Sequence, residues 1–418
     1  MKRLVQKLKA FFDQYEELRG PWLLGYSGGP DSEALLQLLL EIKIEPHLVH
    51  IDHQMREESQ AEALGLKQKA EALNIPFHLH QIPLSKASQG NLEEGFRLKR
   101  YEFFLKTYRE IGAKGLLLAH TQDDHAETVL KRVLEGARLY NLKGMAKVSY
   151  FQNMTLFRPF LDTKKAELLS YLERRPYLTD KTNFDTHYLR ARMRQELFPA
   201  IEKSFKKGIT SPLAQVGREA LRLNDYLQSR LQTYMDQRLI GPFGEALSFS
   251  DSMHSVEIRW LLGQMGVNRF EELGRIEEWI EQRAANKRLG SYILDRGTLY
   301  KIERPIPKID FEGELKEKTF DRGDYRIQIQ KSSEGYHGLK GIFLGKLKIS
   351  LPEKPFLFGP RLRKEENNYR IPAFLRPLLP TLYYEGTPYF DWIFSSRKSQ
   401  NFVIHVVDKT KDNFPALC

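Results

Sequence analysis

One segment, from Trp22 to Ile42, constrains the fold more than any other part of the chain. Its first residues, Trp22 to Tyr26, form a short apolar run bounded by glycine and proline, which is typical of a buried strand in a parallel sheet. Apolar residues then recur at helical spacing, and Asp31 or Ser32 is placed to cap the first helical turn. The segment therefore predicts a strand, a tight turn and a helix in direct succession.

The turn between this strand and helix has the composition of an anion site. Adjacent glycines let the backbone approach a ligand closely, and a helix N-terminus offers free N–H groups and the positive end of a dipole. The turn lacks the Gly-Lys-Ser/Thr ending of a Walker A motif, which argues against kinases and GTPases of that class. The predicted phosphate-binding residues are Ser27, Gly28, Gly29, Pro30, Asp31 and Ser32.

Apolar runs and helical patterns continue to alternate after this segment. Further short strands are predicted at His47 to Ile51, Phe77 to Ile82 and Gly115 to Ala119. This alternation predicts an α/β fold with a doubly wound parallel sheet and right-handed crossovers. Such sheets bind ligands at the carboxyl ends of their strands, so Asp52, after the second strand, is a candidate adenosine contact.

A polar block follows the fourth predicted strand at the same sheet edge. His120 comes first, and the carboxylates of Asp123, Asp124 and Glu127 follow at the start of a predicted helix. Asp124 and Glu127 lie one turn apart on one face, which suits Mg²⁺, a ligand ammonium group or both. Acidic residues also favour a helix N-terminus for electrostatic reasons alone. The neighbouring phosphate loop favours the ligand-binding interpretation.

Arginines on two segments are candidate contacts to a polyanion. Arg97 and Arg100 lie three residues apart on one face of a predicted helix. Arg190, Arg192 and Arg194 alternate, so an extended segment would align them and a helix would spread them. The net charge of +11 agrees with a polyanionic partner, although a basic surface also serves solubility.

Length and composition bound the remaining organisation. With 418 residues the chain is too long for one ordinary core, and no apolar run reaches the roughly 20 residues that span a bilayer. Leu4 to Phe12 is typical of an amphipathic helix and not of a signal peptide, so a cytoplasmic location without membrane contact is expected. The single cysteine, Cys418, argues against disulfides, thiolate metal sites and an internal cysteine nucleophile.

Several motifs in order resemble the tRNA(Ile)-lysidine synthetase family within the N-type ATP pyrophosphatases, or PP-loop superfamily. The loop Ser-Gly-Gly-x-Asp-Ser resembles the whole superfamily, and the order of the further motifs resembles this one family. A looser match occurs at Ile371 to Pro380. The closer blocks are Ser27–Ser32, Val49–His53, Asn91–Glu93 with Arg97 and Arg100-Tyr101, Ala119–Thr128, Leu142–Met145, Arg158–Leu161, Asp180–Asn183, Tyr188–Arg194 and Leu197–Pro199.

Three positions depart from the pattern of that family. The usual Gly-Ser-Gly before the Gly-Met block is replaced by Gly136-Ala-Arg-Leu139, and the usual Asp-Asp-Gln reads Asp123-Asp124-His125. The motif that is normally Arg-Asn-x-x-Arg reads Arg190-Ala-Arg-Met-Arg194. The phosphate loop and the acidic residues keep the family pattern.

The resemblance implies a ligase that uses ATP and Mg²⁺. ATP would adenylate the carbonyl oxygen of the wobble cytidine in tRNA(Ile) with a CAU anticodon, and the side-chain amine of L-lysine would displace AMP. The sequence leaves the oligomeric form open, a homodimer included. The implied roles are catalysis by Asp31, Arg97, Asp124 and Glu127; lysine binding by Asp124 and Glu127; nucleotide contacts by Asp52 and His120; magnesium ligation by Asp31 and Asp123; and tRNA contacts by Arg100, Arg190, Arg192 and Arg194.

Three domains are expected from the changes in pattern along the chain. Residues 1–205 would form the PP-loop catalytic domain, residues 206–310 a mainly helical tRNA-binding domain, and residues 311–418 a small β-rich tRNA-binding domain. The second domain is inferred from helical patterns at Thr210 to Met235 and Glu272 to Ala285, with a hairpin at Ser291 to Glu303.

Two other functions remain compatible with the phosphate loop. A tRNA thiolase shares the superfamily, but the lack of an internal cysteine argues strongly against it. A non-catalytic tRNA-binding relative stays open because the arginine motif is altered. Pyrophosphate release from ATP, measured with tRNA and with or without L-lysine, distinguishes the three.

Overall fold

The structure is a computed structural model with two compact units, residues 1–226 and 227–418. The matching blocks at Asn91 and Asp180–Asn183, and His53, lie outside the described residues. The residues that the structure describes are 2–15, 20–52, 59–82, 92–173, 175–178, 189–304, 313–314, 317–332, 334–335, 343–344, 346–351, 357–359, 374–375, 381–384, 387–389 and 400–409.

A six-stranded sheet forms the centre of the first unit. Its strands are β1 (Trp22–Gly25), β2 (His47–Asp52), β3 (Phe77–Gln81), β4 (Gly115–Leu117), β5 (Val148–Phe151) and β6 (Met154–Phe157). They lie in the order β3-β2-β1-β4-β6-β5. All neighbouring strands are parallel except β5, which pairs antiparallel with β6. The predicted doubly wound parallel sheet is confirmed, and the antiparallel edge hairpin is an addition to it.

Helices pack around this sheet because their apolar faces are buried with it. Leu35, Leu38 and Leu39 of the second helix are fully buried in one core with Leu24 and Phe157 of the sheet. The helices are α1 (Lys2–Asp13), α2 (Pro30–Glu41), α3 (Ser59–Ala72), α4 (Leu92–Glu110), α5 (Gln122–Leu134), α6 (Lys165–Leu172), α7 (Leu189–Arg192), α8 (Phe198–Phe205) and α9 (Thr210–Asp236), the last of which continues beyond residue 226.

The basic stretch from Arg190 to Arg194 is helical, so its arginines do not share one side. A single π-helical turn, Met193–Leu197, joins α7 to α8. Met193 packs with Ala126 and Leu130 of α5, which fixes this turn against that helix. Arg194 consequently faces α5, whereas Arg190 and Arg192 are exposed.

Among its described residues, the second unit contains two further helices and three antiparallel sheets. The sheet orders are β7-β8-β11-β10-β9, β12-β16-β17-β18 and β13-β14-β19-β15. The elements are α10 (Ser255–Gln264), α11 (Phe270–Glu281), β7 (Leu239–Gly241), β8 (Gly244–Ser248), β9 (Lys287–Leu289), β10 (Tyr292–Asp295), β11 (Thr298–Ile302), β12 (Gly313–Glu314), β13 (Lys318–Arg322), β14 (Tyr325–Lys331), β15 (Lys346–Leu351), β16 (Leu357–Gly359), β17 (Thr381–Tyr384), β18 (Thr387–Tyr389) and β19 (Gln400–Asp408).

One core joins the parts of this unit that the sequence analysis assigned to separate domains. Phe243 and Tyr300 are buried in the same cluster as Ile327, Phe343 and Ile404. The region expected to be mainly helical also holds the five-stranded sheet, of which only the β10–β11 hairpin was predicted. The three-domain division itself stays a prediction. Within the described residues, no helix is both long and apolar enough to cross a membrane.

Candidate functional site

A cavity of about 540 Å³ opens at the carboxyl ends of the parallel strands. This is the edge where open α/β sheets bind ligands. Both regions that the sequence analysis placed together, the phosphate loop and the acidic block after β4, contribute to its walls. The lining residues used below are Ser27, Gly29, Pro30, Asp31, Ser32, His50, Asp52, Arg100, Tyr101, His120, Asp124, Lys165 and Arg194.

The phosphate loop leaves the first turn of α2 without a side-chain cap. Gly29 is the N-cap residue and Pro30 the first helical residue, so the prediction that Asp31 or Ser32 caps this helix is wrong. Pro30 favours that first position because it has no N–H group to satisfy. The Ser32 hydroxyl instead donates to the Gly29 carbonyl at 3.0 Å and lies 3.1 Å from Ser27 Oγ. The uncapped helix start suits an anionic ligand.

Gly28 is part of the phosphate loop but is not among the cavity-lining residues of the described chain. Its φ of +76° is one that residues with a Cβ rarely adopt. A Cβ at Gly28 would also lie only 2.6 Å from Leu66 Cδ2 and 2.8 Å from Leu178 Cδ1. Its carbonyl accepts the N–H of Leu178 at 2.8 Å. Gly28 therefore shapes the turn, and Ser27 and Gly29 line the cavity on either side of it.

Lys165, the first residue of α6, links the two acidic segments of the site. Its ammonium lies 2.9 Å from Asp31 Oδ2, and its backbone N–H donates to Asp123 Oδ2 at 2.8 Å. Burial raises the pKa of Asp31, and the charge of Lys165 opposes that rise. The other carboxylate oxygen of Asp31, Oδ1, is buried and has no hydrogen-bond partner.

Asp124 is held in a fixed orientation at the start of α5. Its Oδ2 accepts the backbone N–H of Thr121 at 2.8 Å and the Thr121 hydroxyl at 2.9 Å. Its own backbone N–H donates to Thr121 Oγ1 at 3.5 Å, which closes a capping box. Burial disfavours ionisation of Asp124, but His120, the Thr121 donors and Arg194 together keep its pKa below the usual value. Asp124 therefore lines the cavity as a carboxylate.

Arg194 forms ion pairs with both acidic residues of α5. Its Nη2 lies 2.8 Å from Asp124 Oδ1 and 3.1 Å from Glu127 Oε2, and its Nε donates to Glu127 Oε1. The prediction that Asp124 and Glu127 share one helix face is thus confirmed. Burial raises the pKa of Glu127, and the Arg194 guanidinium counteracts that rise.

His120 and Asp52 line the cavity at the ends of β4 and β2, where the sequence analysis placed them. Burial lowers the pKa of His120 to about 4, so its imidazole is neutral at pH 7. Its Nδ1 is buried without a hydrogen-bond partner. Asp52 is 2% exposed, and Gln81 donates to its Oδ2 at 3.4 Å. His50 contacts the Tyr26 carbonyl through Nδ1 at 2.8 Å.

Six of the predicted site residues do not line the cavity within the described part of the chain: Gly28, Arg97, Asp123, Glu127, Arg190 and Arg192. The Arg97 guanidinium lies over the ring of Tyr101, 5.6 Å from its centroid. Asp123 faces the start of α6, as described above. Arg100, predicted to contact tRNA, instead lines the cavity, and Arg190 and Arg192 are exposed outside it.

Sequence reasoning missed two cations of this site. Lys165 was not singled out, because nothing in its local pattern distinguishes it from the exposed Lys164. Arg194 was assigned to tRNA with its two neighbours, although its partners lie 67 and 70 residues earlier in the chain. In the sequence, only the two neighbouring carboxylates of α5, Asp124 and Glu127, indicated that a buried cation was needed to balance their charge.

The site offers limited means of holding a metal ion. Among the described residues, no group of three or more histidine, cysteine or acidic side chains is arranged to bind one. The unpartnered Asp31 Oδ1 is an oxygen ligand of the type that Mg²⁺ prefers, and Mg²⁺ commonly uses one or two carboxylates together with substrate phosphates. Asp31 therefore fits this role, whereas Asp123 is directed toward α6.

Comparison with known proteins identifies relatives of this chain. The family model ATP_bind_3, described as a PP-loop domain, matches residues 1–201. The chain is 41% identical over 249 residues to the tRNA(Ile)-lysidine synthase of Chlamydia pneumoniae, a match covering 59% of this chain and 75% of that protein. It is 29% identical over 432 residues to the tRNA(Ile)-lysidine synthase of Protochlamydia amoebophila, covering 91% and 90%.

Solved structures give a weaker likeness. The chain is 18% identical to a U34-tRNA thiolase from Methanococcus maripaludis, with a TM-score of 0.43 over 54% of this chain and 79% of that chain.

Proposed function

This chain belongs to the tRNA(Ile)-lysidine synthase family, and from that membership we propose that it joins L-lysine to the wobble cytidine of a tRNA(Ile) with a CAU anticodon. The reaction consumes ATP, in keeping with the PP-loop domain. One observation carries the proposal beyond the family: the phosphate loop and Asp124 line the same cavity. An activated phosphate and a cationic amine therefore have binding groups on one sheet edge.

The first step is adenylation of the cytidine. The carbonyl oxygen of the base attacks the α-phosphorus of ATP, a new oxygen–phosphorus bond forms, and pyrophosphate leaves. The α2 N-terminus with Ser27 and Ser32 binds the phosphates, and Lys165 and Arg100 offset negative charge in the cavity. Asp52 and neutral His120 serve as contacts to the adenosine.

The second step forms the carbon–nitrogen bond. The lysine side-chain amine attacks the activated ring carbon, the bond from that carbon to the adenylated oxygen breaks, and AMP leaves. The lysine ammonium loses one proton to solvent before it acts as a nucleophile, and the nitrogen loses a second proton to solvent after the bond forms. Asp124 and Glu127 hold the cationic substrate close to the base. Exposed Arg190 and Arg192 contact the tRNA backbone outside the cavity.

The proposed function includes a Mg²⁺ ion bound beside the phosphate loop. Asp31 would hold it through the carboxylate oxygen that lacks a partner, together with phosphate oxygens of ATP. Bound there, the ion would neutralise charge on the departing pyrophosphate. The cytoplasmic location and the three-domain organisation remain expectations from the sequence, which leaves the oligomeric form open, a homodimer included.

Pyrophosphate release and lysine incorporation test the proposal directly. The enzyme is incubated with ATP, Mg²⁺ and CAU-anticodon tRNA(Ile), with and without L-lysine, and a tRNA(Ile) with a GAU anticodon serves as the matched control. We expect radiolabelled lysine to enter only the CAU tRNA, with one pyrophosphate and one AMP per lysine. Sulfur incorporation, or tRNA binding without any ATP turnover, would contradict the proposed reaction.

A further inference from the structure

The Arg194 guanidinium lies between the cavity and Glu127. Arg194 and Asp124 line the cavity, whereas Glu127 is 2% exposed and is not among the cavity-lining residues of the described chain. Arg194 donates to both oxygens of Glu127 and to Oδ1 of Asp124. A molecule in the cavity therefore meets Arg194 before it meets Glu127.

A cation of the chain thus already satisfies the two carboxylates proposed to bind lysine. The substrate ammonium and the guanidinium are both donors without acceptors, and both require carboxylate oxygens. They repel each other when placed side by side in a partly buried site. A lysine amine can reach Glu127 only after the guanidinium of Arg194 has moved away.

The surroundings of Arg194 allow its side chain to move while its backbone stays in place. Met193 is 2% exposed and packs on Ala126 and Leu130, which anchors the turn against α5. The side chain of Arg194 is 32% exposed, so its guanidinium has access to solvent. The turn itself is π-helical, a rare geometry that is frequent at functional sites.

We propose that Arg194 is a displaceable occupant of the lysine amine site and that its displacement sets the lysine concentration the enzyme requires. The inference rests on the proposed function, because it takes lysine as the substrate. Until lysine arrives, Arg194 pairs with both carboxylates and keeps small cations away from them. The apparent affinity for lysine equals the intrinsic affinity multiplied by the fraction of enzyme molecules in which Arg194 has already moved aside.

Replacement of Arg194 tests this proposal. The lysine KM of lysine incorporation is measured at pH 8 with saturating ATP and tRNA for the unmodified enzyme, Arg194→Met and Arg194→Lys. Lys203→Met, which removes an exposed cation from the next helix, is the matched control. We expect the lysine KM to fall about tenfold in Arg194→Met and less in Arg194→Lys, because one ammonium cannot pair with both carboxylates as the guanidinium fork does. An unchanged or higher KM in both variants overturns the proposal.

Added methylguanidinium provides an independent measurement. In Arg194→Met it should refill the site and raise the lysine KM competitively, while the unmodified enzyme should not respond. Absence of competition in the variant contradicts the proposal. Thermal unfolding shows whether Arg194→Met is folded. If it is not, the lysine KM of Arg194→Lys is compared with that of the unmodified enzyme.

The two proposals fail in different ways. An unmodified enzyme that incorporates no lysine refutes the proposed function. An unmodified enzyme with lysine-dependent turnover, whose Arg194 variants keep the same lysine KM, refutes only the role of Arg194.

Discussion

The Lys165 ammonium lies 2.9 Å from Asp31 Oδ2, so the start of α6 supplies the cation that neutralises the phosphate loop. These residues are 134 positions apart in the chain. Burial raises the pKa of Asp31, and Lys165 is the main group that opposes this effect. Both line the cavity, so an incoming phosphate must exchange partners with this pair. We therefore expect Lys165 to take part in nucleotide binding, a role that its sequence position did not indicate.

Replacement of Lys165 by methionine should weaken ATP binding. The variant loses the cation beside the phosphate loop, and charge-assisted hydrogen bonds contribute about 1.5–3 kcal/mol, so we expect the ATP KM to rise roughly tenfold to a hundredfold. The tRNA affinity should be unchanged. Lys164→Met removes an exposed charge one residue earlier and should leave the ATP KM unaltered. Equal effects of both variants would show that only general surface charge matters.

Glu127→Gln should weaken lysine use while adenylation persists. The change removes a buried negative charge from the proposed amine site but preserves the size of the side chain, so we expect the lysine KM to rise about tenfold. Pyrophosphate release with ATP and tRNA should continue. Glu135→Gln, which affects an exposed pair with Lys131 just after α5, is the control. A lysine KM equal to that of the unmodified enzyme would remove Glu127 from the site.

Arg190 and Arg192 should contribute to the salt dependence of tRNA binding, and Arg194 should not. The first two are exposed, whereas Arg194 is paired with Asp124 and Glu127. Binding of tRNA to Arg190→Gln/Arg192→Gln is measured across a salt series. Each lost phosphate contact should reduce the slope of log affinity against log salt by about 0.7–0.9.

Arg222→Gln provides the control for that measurement. Arg222 is also exposed, but it pairs with Glu219 on α9 at 2.8 Å. Its removal should leave the slope unchanged. If the double variant gave the same slope as the unmodified enzyme, Arg190 and Arg192 would be surface charge without a tRNA contact.

His120 should make the first unit less stable in mild acid. Its pKa is about 4 in the folded chain and 6.5 as a free histidine, so between these values the unfolded chain binds more protons. Stability is therefore present above pH 6.5 and is lost as pH falls toward 4. The lowered pKa of Asp124 acts only below its ordinary value of 3.8. Calorimetry of His120→Gln between pH 7 and about 4.5 should show a smaller fall in Tm than in the unmodified chain; an equal fall would contradict the assignment.

Gly217 should tolerate no side chain, because α9 packs closely on His125. A Cβ there would lie 2.5 Å from His125 Nε2 and 2.7 Å from Val129 Cγ2. We expect Gly217→Ala to reduce the free energy of unfolding by about 1–3 kcal/mol through overpacking. His125→Ala, itself destabilising, should offset part of that loss in the double variant.

Gly65→Ala is the matched control for Gly217→Ala. It lies in α3 with open space around the position of the new Cβ. Alanine should stabilise that helix by about 0.5–1 kcal/mol. Destabilisation of similar size at both glycines would mean that close packing on His125 is not the cause.

The sequence predicted best those features that depend on neighbouring residues. The turn after β1, the carboxylates on one face of α5, the strand that ends at Asp52 and the strand that precedes His120 all follow from local spacing and composition. The phosphate loop and the polar block were placed at one edge because parallel strands carry their carboxyl ends to the same side.

The remaining features depend on partners that are distant in the chain. Residue spacing could not show that Arg194 faces α5, because an extended segment and a helix both fit alternate arginines. The single π turn also alters the direction in which each side chain leaves the backbone. Gly28 was assigned to the ligand because glycines suit phosphate loops. A glycine is needed at this position because a Cβ would clash with the side chains of Leu66 and Leu178.

The shared core of the second unit has a consequence for biosynthesis. Strand β19, at Gln400–Asp408, lies between β14 and β15, and its Ile404 and Val406 are buried in the cluster that contains Phe243. The apolar faces of the earlier strands of this unit are therefore fully covered only after β19 has left the ribosome. The first 226 residues form a separate compact unit, so a nascent chain can complete the cavity beside the phosphate loop before the second unit has folded.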